Sequence, residues 1–167
     1  MNSFKMLPQV DDNTYVTAKM HVAVTDADVG KPVKLYAADT YTICSDGDDI
    51  DGFLNSVESH TSGGKVIATV QIAGRRCVQV DDASNIALGA LVEAAAPATL
   101  NTAETNKLGK VSGKAAIAAD LATDASGTLI AASVNAILAD LITGRKRWRL
   151  ISGTGLDEDT TAVVELV

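Results

Sequence analysis

At 167 residues the chain is long enough to bury most of its apolar surface without disulfide or metal staples, and one domain is the default. It is 47% hydrophobic but only 4% aromatic; the apolar residues are mostly Ala and Val, which favours the closely approaching layers of a β-barrel or sandwich. A formal net charge of −7 repels phosphate backbones and argues against nucleic acid as the partner of the whole domain.

Residues 1–14 read as an extended N-terminal arm. Phe4, Met6, Leu7 and Val10 stand among polar residues around Pro8. Apolar knobs of this kind pack on their own domain or reach a neighbour. Met1 opens a mixed polar stretch without an apolar signal-peptide core. No run approaches the roughly 18 apolar residues of a membrane span. The expectation is synthesis in a cytoplasm and no membrane partner.

A single β-rich domain is expected over residues 15–167. Tyr15 to Val24 alternates cleanly, with Val16, Ala18, Met20, Val22 and Val24 on the apolar face, so it reads as a strand. Thr25 to Asp28 ends it. Pro32 cannot donate to a ladder, so the next strand, through Val33 to Tyr36, starts there or lies at an edge. Thr40 to Cys44 and Phe53 to Val57 are short strands on either side of an Asp/Gly cluster. Gly63-Gly64 signals a hairpin. Val66 to Ile72 alternates again, with Val66, Ala68, Val70 and Ile72 inward and Thr69 and Gln71 outward. Beyond Gly74, Arg76, Val78 and Val80 oppose Arg75, Cys77 and Gln79. A loop at Asp81 to Asn85 leads to a strand over Ile86 to Val92.

Residues 97–145 form an Ala-rich elaboration. It opens with a loop from Pro97 to Leu108 and a strand pair over Val111 to Ala119. Val134, Ile137, Leu138, Leu141 and Ile142 then share one stripe at helical spacing, which predicts one short helix over Ala131 to Thr143. Ser133 can cap it, and Gly144 suits its end. Strands return at Arg147 to Ile151 and Thr161 to Val167. The fold class expected is mainly β: a small antiparallel barrel or sandwich with an arm and one short helix.

Candidate chemistry is sparse. The run Asp46-Gly47-Asp48-Asp49-Ile50-Asp51-Gly52 suggests a calcium loop, but counting from Asp46 puts Ile50 at the fifth ligand position and the EF-hand spacing fails. It reads as an Asp/Gly turn. His21 and His60 fit neither a zinc spacing nor a Ser-His arrangement. Gly63-Gly64-Lys65 and Ser152-Gly153-Thr154-Gly155 lack the phosphate-loop pattern. Cys44 and Cys77 read first as small buried apolar groups. No cofactor, metal site or catalytic residue is expected. The sharpest feature is Gly144-Arg145-Lys146-Arg147-Trp148-Arg149. As a strand it places Arg145, Arg147 and Arg149 on one face and Trp148 and Leu150 on the other, the core side. Such a stripe on an acidic chain is a contact with an acidic partner surface, an intersubunit pairing with the Asp-rich loops, or a solvated face balanced by local carboxylates.

The order of these signals has a counterpart. Val29-Gly30-Lys31-Pro32-Val33-Lys34-Leu35, then Ile50-Asp51-Gly52-Phe53-Leu54, then Gly64-Lys65-Val66 into Val70-Gln71-Ile72-Ala73-Gly74, then Ile86 to Val92, resembles the head decoration (cement) proteins of tailed bacteriophages. Thr161 to Val167 looks like the closing strand of that family. The resemblance covers about residues 15–92 and this last strand, and residues 97–145 depart from it. It implies a non-enzymatic β module on the outer surface of a phage capsid, often a homotrimer, that stabilises the shell by bridging major capsid subunits. On this expectation the partners are the major capsid protein and further copies of the chain. The contact candidates are the arm (Phe4, Met6, Leu7) and the basic stripe (Arg145, Arg147, Arg149). The rival expectation is a ligand- or glycan-binding β module of a phage tail or surface structure; an enzyme ranks last.

Overall fold

A computed structural model describes residues 13–21, 23–59, 66–80, 86, 88–95, 108–114, 148–152 and 161–166. Residues 1–12 of the predicted arm, the Gly63-Gly64 hairpin and the helix over 131–143 lie outside the described residues, and Thr14, assigned to the arm, opens the first strand. Those described are mainly β, as expected, and form two five-stranded units.

The first unit is a closed barrel of consecutive strands. These are β1 (Thr14–Met20), β2 (Pro32–Ala37), β3 (Thr40–Ile43), β4 (Gly52–Ser59) and β5 (Val66–Ala73), in the order β1-β3-β2-β4-β5, with β5 closing onto β1. β5 pairs antiparallel with both neighbours, so Val16, Val70 and Leu54 fall in one row. Ala18, Met20, Val24, Val33, Leu54, Ala68 and Val70 fill the interior. A five-stranded barrel has room for little else, which explains the small side chains that the composition favours. Pro32 opens β2, where its missing N–H costs no ladder bond. Thr25 to Asp28 forms a 3-10 turn with a reciprocal cap: Thr25 Oγ1 accepts from Ala27 N at 3.3 Å, and Asp28 Oδ2 accepts from Thr25 N at 3.0 Å.

The second unit is a five-stranded sheet. It comprises β6 (Arg75–Val80), β7 (Val92–Ala94), β8 (Lys110–Gly113), β9 (Trp148–Ser152) and β10 (Thr161–Leu166), in the order β7-β8-β6-β10-β9. A bridge between Leu91 and Arg149 joins its two ends, and Gly89 N and Leu150 N donate to Leu150 O and Ala90 O. The sheet therefore curls round its own core, in which Trp148, Leu150, Val78, Val80, Val92, Val111, Ala162 and Val164 are buried. Cys44, Ile50 and Phe53 from the first barrel complete that same cluster. Phe53 meets Trp148 edge to face at 5.1 Å between centroids, the geometry that the ring quadrupoles favour.

Gly74 alone separates β5 from β6. Its φ of 95° suits glycine, and a Cβ there would lie 2.1 Å from Asn13 Oδ1. That oxygen accepts from Arg75 N at 2.9 Å and Gln71 Nε2 at 3.1 Å. Leu166 N donates to Gly74 O at 3.3 Å.

Four expectations are corrected. The sheets are not purely antiparallel: β1 pairs with β3, and β6 with β8, in parallel, because β2 intervenes in one case and β7 in the other. Gln71 is buried, although its face points away from the first barrel. The second sheet covers that face, and Gln71 bonds to Ala73 O, Arg75 O and Arg76 Nη1 across the junction. Ile86 to Val92 is not one strand: Leu88 and Gly89 form a turn, with Gly89 at φ 83°, and regular pairing starts only at Val92. Cys77 is exposed while Cys44 is buried, since Cys77 lies on the outer face of β6.

Candidate functional site

The acidic run between β3 and β4 serves the fold. Asp48 Oδ2 accepts from Ser45 N at 2.6 Å and from Lys34 Nζ at 2.5 Å. Asp51 Oδ2 accepts from Leu35 N at 2.7 Å, capping the free side of β2. Asp49 Oδ1 pairs with Lys114 just past β8. The loop backbone reaches the second sheet as well: Gly47 N donates to Ala94 O at 2.8 Å and Ala94 N to Asp48 O at 2.9 Å. These carboxylates thus tie a turn, a strand end and the neighbouring unit together. Among the described residues, no group of three or more His, Cys, Asp or Glu is placed to hold a metal ion.

Cys44 lies under this loop. Burial, with the nearby Asp48 carboxylate, pushes its thiol well above the usual range, so the nucleophilic thiolate is suppressed. Asp28 and Lys31 pair at 2.8 Å with both side chains fully buried. Neither exposes an atom to a substrate. The pair fixes the 3-10 turn to the start of β2.

The outer face of β6, β10 and β9 is different in kind. Cross-strand register sets Arg75 and Arg149 on either side of Glu165. Arg75 Nε lies 3.2 Å from Glu165 Oε1, and Arg149 Nη2 lies 3.7 Å from Glu165 Oε2. The next row along the strands is Cys77, Val163 and Ser152, because a register shift between Val163 and Val164 leaves Ile151 as the extra residue of β9. A shallow groove of about 570 Å³ lies beside Arg149, lined by Arg75, Arg76, Cys77, Ile151, Ser152, Val163 and Glu165. Arg76, which alternates with Arg75 along β6, also contributes to the lining. Its guanidinium sits 5.6 Å from the centre of the Phe53 ring, and burial holds its pKa below the usual arginine range.

A second exposed patch lies on the first barrel. Leu35 and Tyr36 protrude near the end of β2, and the Tyr36 ring stacks on His21 at 3.8 Å.

Of the residues singled out from sequence, Arg149 lies on the charged row, with Trp148 and Leu150 in the core behind it, as the alternation requires. Phe4, Met6, Leu7, Arg145 and Arg147 lie outside the described residues, as does His60. Sequence reading missed Arg75 and Glu165, which stand 90 residues apart and meet only through strand pairing. It also missed the Asp28–Lys31 pair. The Thr25-x-x-Asp28 spacing, a capping-box pattern, was the available signal. No family model, curated protein or solved structure matches the chain.

Proposed function

We propose that the chain is a structural protein of the phage head decoration class, which binds the outside of a capsid and bridges adjacent major capsid subunits. The observation that carries the reading is how its charged side chains are divided. Asp28, Lys31, Asp48, Asp49 and Asp51 are committed to internal partners, whereas the Arg75–Glu165–Arg149 row faces outward beside a groove. A rigid body with an outward contact face suits a protein that clamps others. The sequence resemblance over residues 15–92 supports the same reading, and that stretch supplies the whole first barrel. In this proposal Phe4, Met6 and Leu7 reach a neighbouring subunit, and three copies assemble on the shell. The glycan-binding alternative is weaker, because Trp148, the best stacking platform available, is buried in the second core.

The test mixes purified protein with undecorated expanded heads and sediments them. Saturable co-sedimentation is expected. Protein left in the supernatant at saturating concentration overturns the reading. Solution mass, measured separately, checks for the trimer.

A further inference from the structure

We infer that the outer face of β6, β10 and β9 docks an acidic, partly apolar segment of a different protein. The inference rests on reading the chain as a binder of another protein's surface, and it names the chemistry of that partner.

The charge of the face opposes that of the chain. Around one carboxylate, Glu165, stand Arg75 and Arg149, on a chain of net charge −7. Depth sharpens the point. The Arg75 and Arg149 side chains are 61% and 44% exposed, and Glu165 is 28% exposed between them. Glu165 thus anchors the two guanidinium groups from below while they face solvent. An incoming carboxylate meets donors already aligned by a strand register. Cys77, Val163 and Ile151, which line the groove beside them, give an adjacent apolar side chain a place to rest.

Two other occupants fit less well. The acidic loop of a second copy has its Asp48, Asp49 and Asp51 carboxylates bonded to Lys34, Lys114 and Leu35 N. An added strand finds no edge at this face, since β10 already pairs with β6 on one side and β9 on the other. Recognition therefore runs through side chains, and the complement to the row is a carboxylate.

The test uses the full chain and a short labelled peptide of alternating Glu and Leu, followed by fluorescence anisotropy. Saturable binding is expected, weakened by added salt. The double variant Arg75→Gln with Arg149→Gln should bind about tenfold more weakly or worse. Lys19→Gln, which removes an exposed charge from the first barrel, should bind as the parent does. No binding, equal binding of a Gln–Leu peptide, or equal Arg-dependent binding of a single-stranded oligonucleotide overturns the inference. The head-sedimentation assay separates it from the proposed function. If the double variant still sediments with heads as the parent does, the decoration reading stands and this face is not the contact. If the chain ignores heads yet binds the Glu–Leu peptide through Arg75 and Arg149, the acidic partner stands and the decoration reading falls.

Discussion

The two five-stranded units solve the same packing problem with opposite chain layouts. The first draws its strands in sequence from residues 14–73, and its core is Ala, Val, Leu and Met. The second gathers strands from residues 75–166, places the one Trp at its centre, and borrows Cys44, Ile50 and Phe53 from the first. Local pairing makes the first barrel cheap to close in entropy, whereas the second must bring distant segments together. The loan of Phe53 implies that the second unit depends on the first more than the reverse.

The largest effect should come from the borrowed contact. Trp148→Ala empties the centre of the second core and should cost about 3–5 kcal/mol. Because Phe53 faces Trp148, a single cooperative transition is expected in denaturant, moved to lower concentration. Two separated transitions would break the dependence and make the units independent.

Next is the buried ion pair of the first barrel. Lys31→Met leaves Asp28 charged in a fully enclosed site and should cost about 3 kcal/mol. Adding Asp28→Leu should restore most of that, as chemical denaturation of the double variant would show. Failure to recover would mean that the cap on Thr25 N, not the pair, carries the stability.

Gly74→Ala tests the link between the units. A side chain at this φ and this close to Asn13 should cost about 1–3 kcal/mol, read as a fall in thermal midpoint. An unchanged midpoint would show that the junction yields at little cost.

The smallest effect is alkaline. Burial raises the Cys44 pKa above its ordinary value of 9.0, so the folded state keeps a proton that the unfolded state releases. This contribution is complete below pH 9 and is lost as pH rises beyond it, by up to about 1.4 kcal/mol per pH unit. Cys44→Ala should flatten the fall in stability between pH 8 and 10. In the native parent, a thiol reagent should modify Cys77 quickly and Cys44 only on unfolding.

The same contrast governs what could be read from sequence. In the first barrel, alternation named the strands, and Pro32 marked where one begins. In the second, alternation placed Trp148 and Leu150 inward and Arg149 outward correctly. Alternation assigns faces, however, and does not say what covers them. Gln71 therefore passed for a solvent residue, and the partnership of Arg75 with Glu165 stayed hidden, since it exists only after β6 and β10 pair. The Leu88-Gly89 turn was missed because a lone glycine in an apolar run signals a bend only weakly.

At Gly74 the first and last described segments meet: Asn13 packs against it, and Leu166 bonds to its carbonyl. In a chain trimmed to residues 13–166, without the arm, a short linker from residue 166 to residue 13 should therefore close the backbone into a ring without disturbing either core, and permuted versions cut at an exposed turn such as Leu88-Gly89 become feasible. For the same reason, cargo joined directly to residue 13 or to residue 166 of such a trimmed chain would start from one locus.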